Sequence, residues 1–120
     1  MSRESGFHAE TLACEYLQQQ GLALIARNFT TQGGEIDLIM QAGETLVFVE
    51  VRKRSNTTYG SGADSVSLSK QRRILSTARH YLLQSKQYDK VATRIDVIDI
   101  GLQEGITHVE WIPNAIWEKW

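Results

Sequence analysis

Three acidic side chains and a basic one fall within a single stretch, GGEIDLIMQAGETLVFVEVRKR (33–54): Glu35, Asp37, Glu50 and Arg52. β-Branched and aromatic residues cluster on either side of the Gln41-Ala42-Gly43-Glu44 break, the pattern of two strands joined by a tight turn. Side chains alternate along a strand, so Glu35, Asp37 and Ile39 share one face while Ile36, Leu38 and Met40 share the other. Phe48, Glu50 and Arg52 likewise oppose Val47, Val49 and Val51. With a two-residue turn at Ala42-Gly43, Glu35 stands opposite Glu50 and Asp37 lies diagonal to it. Facing like charges repel, so the patch requires a cation, either a divalent metal or a nearby basic side chain. Mg²⁺ or Mn²⁺ suits such a site, because a hard cation is held by one or two carboxylates plus phosphate oxygens of a substrate.

The competing reading is a solvent-facing polar side of an amphipathic hairpin, with Glu and Arg paired across strands. Against it, Glu50 sits amid Val47-Phe48-Val49 and Val51, an apolar run expected of a central buried strand. A charge there needs a partner or a metal.

The stretches G-G-E-I-D-L-I and L-V-F-V-E-V-R resemble the E-x-D…E-x-K half-sites of the PD-(D/E)XK nuclease superfamily. More narrowly, the chain resembles the small bacterial YraN-type family of endonuclease-like proteins. That likeness takes in Glu10 and Tyr16-Leu17, Ala26-Arg27-Asn28, Lys70-Gln71 and Arg94-Ile95-Asp96-Val97. It implies a restriction-endonuclease-like α/β fold and hydrolysis of phosphodiester bonds in DNA. Asp37 and Glu50 would bind the metal, with Glu10 as a further ligand and Glu35 as a supporting acid. The lysine usual two positions after the second acid is Arg52 here. Arginine stabilises charge on a phosphate but does not take a proton from water near neutral pH. Lys70, which with Gln71 resembles positions that assist the site, is the candidate to make up for that lysine. Likeness to Holliday-junction resolvases points to structured or branched DNA, which would require a homodimer. The alternative is a non-catalytic nucleic-acid-binding module on the same fold, and a third reading is an interaction scaffold presenting the C-terminal tryptophans.

At 120 residues, 42% hydrophobic and 22% charged, the chain is expected to be one domain, 1–120, around one core. No apolar run is long enough to cross a bilayer, and the first residues lack the apolar segment of a secretory signal, so a cytoplasmic protein without membrane contact is expected. Cys14 is the single cysteine and excludes an intrachain disulfide. The net charge of −1 conceals an asymmetry: residues 52–94 hold ten Lys or Arg and two acids, the remainder three and twelve. A basic segment beside an acidic cluster suits a polyanion whose phosphate must meet a metal, and it would equally suit internal charge pairing. Lys53, Arg54, Lys70, Gln71, Arg72 and Arg73 are the candidate nucleic-acid contacts.

The elements that must position these groups follow from periodicity. A helix is expected over 7–20, with Ala9, Leu12, Ala13, Tyr16 and Leu17 buried and Glu10 bordering that stripe, either reaching the acids or simply solvated. Leu22–Phe29 reads as a strand and Thr30–Gly34 as a flexible loop, where Gly33-Gly34 either lets a nucleic-acid backbone pass or, the more frequent use of two glycines, makes a plain turn. After the acidic hairpin, 55–63 reads as a mobile loop carrying Tyr59. A second helix, about Leu68–Ser85 with Ser67 as N-cap, buries Leu68, Ile74, Leu75, Ala78, Tyr81 and Leu82. Arg94–Leu102 is a strand in which Asp96 needs Arg94 as partner. His108–Ile112 is a short strand stopped by Pro113, and Asn114 caps a final helix with Trp117 and Trp120. The order α-β-β-β-α-β, then short strand and helix, implies a mixed sheet flanked by helices.

Overall fold

A computed structural model of the chain describes residues 2–54 and 66–117. The loop expected at 55–63, Tyr59 and Trp120 lie outside the described residues, as does the side chain of Arg54. Helix α1 (Ser2–Gln19) leads into strands β1 (Ala23–Thr31), β2 (Gly34–Ala42) and β3 (Thr45–Arg54); helix α2 (Leu68–Gln84) then precedes β4 (Ala92–Gln103) and β5 (Ile106–Ile116). The strands form one sheet in sequence order. β1–β2, β2–β3 and β4–β5 are antiparallel and β3–β4 is parallel. This is the mixed sheet flanked by helices that the pattern predicts. Among the described residues no helix is long and apolar enough to cross a membrane.

β3 is the central strand, apolar on both faces. Val47 and Val49 pack with Leu38, Met40, Ile98 and Ile100 under Ala13 and Leu17 of α1. Leu46 and Phe48 pack with Ile39, Ile95 and Val97 under Ile74, Ala78 and Leu82 of α2. Cys14 is buried in the α1 layer, a packing residue as expected. Ser67 caps α2, its hydroxyl accepting the Lys70 N–H at 3.1 Å. The expected stripe on α2 needs one change: Leu68 is 63% exposed, and Thr77 is buried instead.

The Thr30–Gly34 segment is a tight hairpin, with Thr31 paired to Gly34 across a two-residue turn. The Thr31 hydroxyl accepts the Gly33 N–H at 3.1 Å and holds the turn. Gly34 is needed for an approach by helix α2: a Cβ there would stand 2.9 Å from Thr77 Oγ1 and 3.4 Å from the Cβ and carbonyl oxygen of Arg73.

The C-terminal expectation is overturned. β5 continues through Pro113 to Ile116, and no helix begins at Asn114. A bulge explains how a strand passes a proline: Ile95 pairs with Ile116 but Val97 pairs with Ile112, leaving extra residues on the edge strand. Asn114 adopts φ 52°, a left-handed conformation that asparagine tolerates. Asp96, fully buried opposite the bulge, satisfies the freed groups: it accepts the Asn114 N–H at 2.9 Å, Trp111 Nε1–H at 2.9 Å and Arg94 Nε–H at 3.1 Å. The expected Asp96–Arg94 pair is present, with two further donors that sequence did not reveal. Trp117 is exposed.

Two predictions follow from this packing. Asp96→Ala leaves three donors unanswered and should lower stability by about 3 kcal/mol in urea denaturation. Gly34→Ala should cost about 1–3 kcal/mol by overpacking, and the double variant with Thr77→Ala should be more stable than the two single costs add up to, because the nearest clash is removed.

Candidate functional site

The hairpin that carries the acids turns one residue later than expected. Ala42 pairs with Thr45, so Gly43-Glu44 is the turn, and Gly43 takes φ 59°, which favours glycine. The register therefore runs through Leu38↔Val49. Continued one step, it sets Asp37 against Glu50 and Glu35 against Arg52, in place of Glu35 against Glu50. The shift is by an even number, so the facing relation survives while the closest partners change.

The β2–β3 ladder stops at Leu38↔Val49. Beyond it the Val51 N–H donates to Asp37 Oδ2 at 2.8 Å, a side chain taking the place of a main-chain acceptor. The alternation of β2 breaks at the same point. Ile36 joins Ile39 in the α2 layer, while Leu38 and Met40 lie in the α1 layer, so the expected grouping of Ile36 with Leu38 is corrected. On β1, Asn28 lies between the pairs Arg27↔Leu38 and Phe29↔Ile36 with φ 55°. The strands are thus distorted on both sides of Asp37, and the notch between β2 and β3 is where the acids meet.

One carboxylate oxygen each from Glu10, Glu35 and Asp37 lie within 4.8 Å of one another. Glu10 reaches them from α1, where it follows buried Ala9. Its Oε1 is buried, accepts no hydrogen bond among the described residues and stands 3.7 Å from Arg27 NH2. Arg27 also donates to Thr11 Oγ1 at 3.2 Å. Glu50 is 4% exposed, and its Oε2 meets Lys70 Nζ at 2.7 Å. Burial, then the Glu50 charge, push the Asp37 carboxyl up from 3.8 to about 8, with Glu10 and Glu35 adding to the rise and the Val51 N–H opposing it. A carboxyl so placed is protonated at neutral pH unless a cation arrives.

A cleft of about 490 Å³ opens over this cluster, walled by Thr30–Gly34 on one side and by Lys70, Arg73 and Ile74 of α2 on the other. Glu35, Asp37 and Glu50 line its floor. Arg52 is not among its lining residues and lies beside buried Asp99 in the β3–β4 register. Lys53 and Arg72 are exposed. Gln71 turns back to donate its amide to the Val66 carbonyl at 2.9 Å, reinforcing the start of α2. Arg73 NH1 donates to Ser69 Oγ at 3.0 Å. Of the residues expected to act together, Glu10, Glu35, Asp37, Glu50 and Lys70 converge with Arg73, whereas Arg52 does not line the cleft and the Gln71 amide is turned to Val66.

Arg27 is the site residue that periodicity did not single out. Its signals are the Ala26-Arg27-Asn28 segment of the family likeness and a basic residue in an outer strand otherwise short of charge, next to a helix whose Glu10 borders the buried stripe. The donor set fits a small divalent cation: all oxygen, one buried oxygen without a hydrogen bond, and an acid held neutral for want of counter-charge.

The chain is similar over nearly its whole length to several bacterial proteins. It is 45% identical over 116 residues to a UPF0102 protein of Legionella pneumophila strain Philadelphia 1, covering 96% of each. A Coxiella burnetii UPF0102 protein is 44% identical over 116 residues (97% of this chain, 94% of the relative), and a Vibrio cholerae one 45% over 118 (98% and 95%). Among solved structures, Pyrococcus furiosus SfsA in complex with Ca²⁺ aligns with TM-score 0.42 and 14% identity, over 93% of this chain and 63% of SfsA. A likeness that distant says nothing about the site. The family model for UPF0102 matches residues 9–100, and with these relatives it shows that the chain belongs to the uncharacterised protein family UPF0102.

Proposed function

We propose that this protein is a metal-dependent phosphodiesterase acting on DNA, with a site of the PD-(D/E)XK kind that the E-x-D…E-x-R pattern resembles. The observation that carries the reading is the convergence of Glu10, Glu35 and Asp37 on one point beside Glu50, under a cleft with a basic wall. Asp37, Glu10 and Glu35 would hold Mg²⁺ or Mn²⁺, with Glu50 completing the set once Lys70 turns toward substrate. When bound, the ion supplies Lewis acidity to a phosphate oxygen and the counter-charge that the acids need.

The chain's own groups do the rest. Lys70 pairs with Glu50 at 2.7 Å and, once a cation takes over Glu50, would offer its N–H groups to a phosphate oxygen at the cleft mouth. It supplies the ammonium that the strand position of Arg52 does not. Arg73, on the same wall, adds a planar fork suited to phosphate. A branched substrate would need two such sites, and so a homodimer.

A second reading is a DNA-binding module that does not cleave. Arg52 in place of lysine favours it, as does the tight Glu50–Lys70 pair, which ties up one acid and one cation together.

Purified protein incubated with supercoiled, single-stranded and four-way DNA, with Mg²⁺, Mn²⁺ or EDTA, decides between them. Metal-dependent nicking that Glu50→Ala reduces by about 100-fold or more fits the enzyme. Salt-sensitive binding without nicking, unchanged in Glu50→Ala, fits the module.

The raised Asp37 carboxyl gives a separate expectation. A cation must displace its proton, so Mg²⁺ affinity measured by calorimetry should climb with pH up to about 8 and then level off. Without metal, the folded state holds a proton that the unfolded chain releases near pH 3.8. This contribution to stability is fully present below about pH 4 and lost as the pH rises to about 8. Asp37→Asn should therefore flatten that part of the stability profile and raise Tm at pH 8 in EDTA by several degrees.

A further inference from the structure

The cleft over the acids does not end with them. Its wall at Thr30–Gly33 is shared with a second groove of about 610 Å³, which continues between the β1–β2 turn and the outer face of α2. From the acid end outward, α2 presents Arg73, Ser76, His80 and Leu83 along the two connected grooves. Steps of three, four and three residues put these four on one stripe of the helix. From Arg73 to Leu83 the helix rises about 15 Å at ~1.5 Å per residue, the length of about four nucleotides at ~3.4 Å each in a stacked strand.

Along the stripe the Arg73 cation gives way to an imidazole and a leucine, with Arg79 lining the same outer groove. Helix α2 carries Lys70, Arg72, Arg73 and Arg79 and no acidic residue. Farther along, the exposed His80 ring is backed by Phe29, with centroids 6.4 Å apart and planes 39° apart. Phe29 is itself held edge-on by Tyr81 at 5.2 Å. Leu83, one turn on, is 59% exposed. A supported imidazole next to an exposed leucine makes a plate for the face of a base, and a base shows its face only where the strand is unpaired. A duplex offers this groove its phosphates alone.

We infer that the groove binds an unpaired DNA strand, its backbone along Arg73 and a base seated on His80 and Leu83. The DNA is thus single-stranded over the few nucleotides that run from the acid cluster along α2. The inference rests on the proposed reading of the acid cluster for DNA as the polymer, and it adds which form of DNA the site accepts.

Fluorescence anisotropy in EDTA tests it without cleavage, using a labelled oligonucleotide of about 12 nucleotides, within the ~4–16 usual for single-strand sites, and its duplex. The single strand should bind about tenfold tighter than the duplex. His80→Ala should weaken single-strand binding about tenfold and leave duplex binding alone. Arg73→Ala should lower the slope of log affinity against log salt by about 0.7, the value for one phosphate contact on a single strand. Both side chains are exposed, and far-UV circular dichroism checks that the variants fold. Equal or tighter duplex binding, no single-strand binding, or a folded His80→Ala protein that binds as well as the parent would each overturn the inference. A protein that binds as expected yet cleaves no DNA with Mg²⁺ or Mn²⁺ refutes the phosphodiesterase reading alone. One that cleaves DNA while its single-strand binding ignores His80 refutes this inference alone.

Discussion

The hydrogen bond from the Val51 N–H to Asp37 Oδ2 is the contact around which the site is arranged. A central strand must find an acceptor for every buried N–H. At Val51 the acceptor is a side chain, because β2 has already left the ladder after Leu38. That exchange costs one regular cross-strand bond, and it opens a notch in a sheet that would otherwise be closed between two helices. Asp37 occupies the notch, Glu50 lies beside it, and Glu10 and Glu35 reach in from α1 and from the start of β2. A continuous β2–β3 ladder would leave no place where four carboxylates meet.

Such a cluster is a liability for folding, and the surrounding residues divide the cost. Lys70 answers Glu50, Arg27 stands near Glu10, and Asp37 holds a proton when nothing else compensates it. None of these makes the site a source of stability, since desolvating charges offsets most of what pairing them returns. The contrast with Asp96 is instructive. Asp96 is buried more deeply than Glu10, Glu35 or Asp37, yet three protein donors satisfy it, and its role is to hold the β5 bulge. Among the described residues the site's acids have fewer donors than they have oxygens.

Much of this was legible in the sequence because strand alternation and helical periodicity are strong signals. The double-sided apolar run at Val47–Val49 placed β3 in the centre, and Ser67 marked the start of α2. The acids were found because Glu50 sat in that run. What periodicity misplaced were departures from regularity. Gly43 competes with Ala42 for the first turn position, and only its φ of 59° decides the register. The break at Asp37 and the bulge at Asn114 each rest on a side-chain acceptor replacing a backbone one, a long-range contact that no local pattern encodes. Pro113 suggested a stop for the same reason: its neighbour across the sheet could not be known. Of the two uses open to Gly33-Gly34 the plain turn is the one present, and Gly34 in addition makes room for Thr77 and Arg73 of α2, which no local pattern shows.

The position of Lys70 follows from topology more than from local sequence. β3 and β4 are parallel, so the chain must return through a crossover, and α2 runs back across the sheet from the end at which β3 finishes. The first turn of α2 is thereby brought to the C-terminal half of β3, where Glu50 lies. Ser67 then fixes the helix start within a residue, since its hydroxyl takes the Lys70 N–H itself. An ammonium at that first turn is disfavoured by the helix dipole, and the buried Glu50 carboxylate supplies the charge that offsets it. Arg52, two residues beyond Glu50 on β3, does not line the cleft and stands at the register position of Asp99. The crossover therefore delivers from a helix the cation that strand β3 does not deliver at position 52, and it does so on the wall of the cleft that continues into the α2 groove.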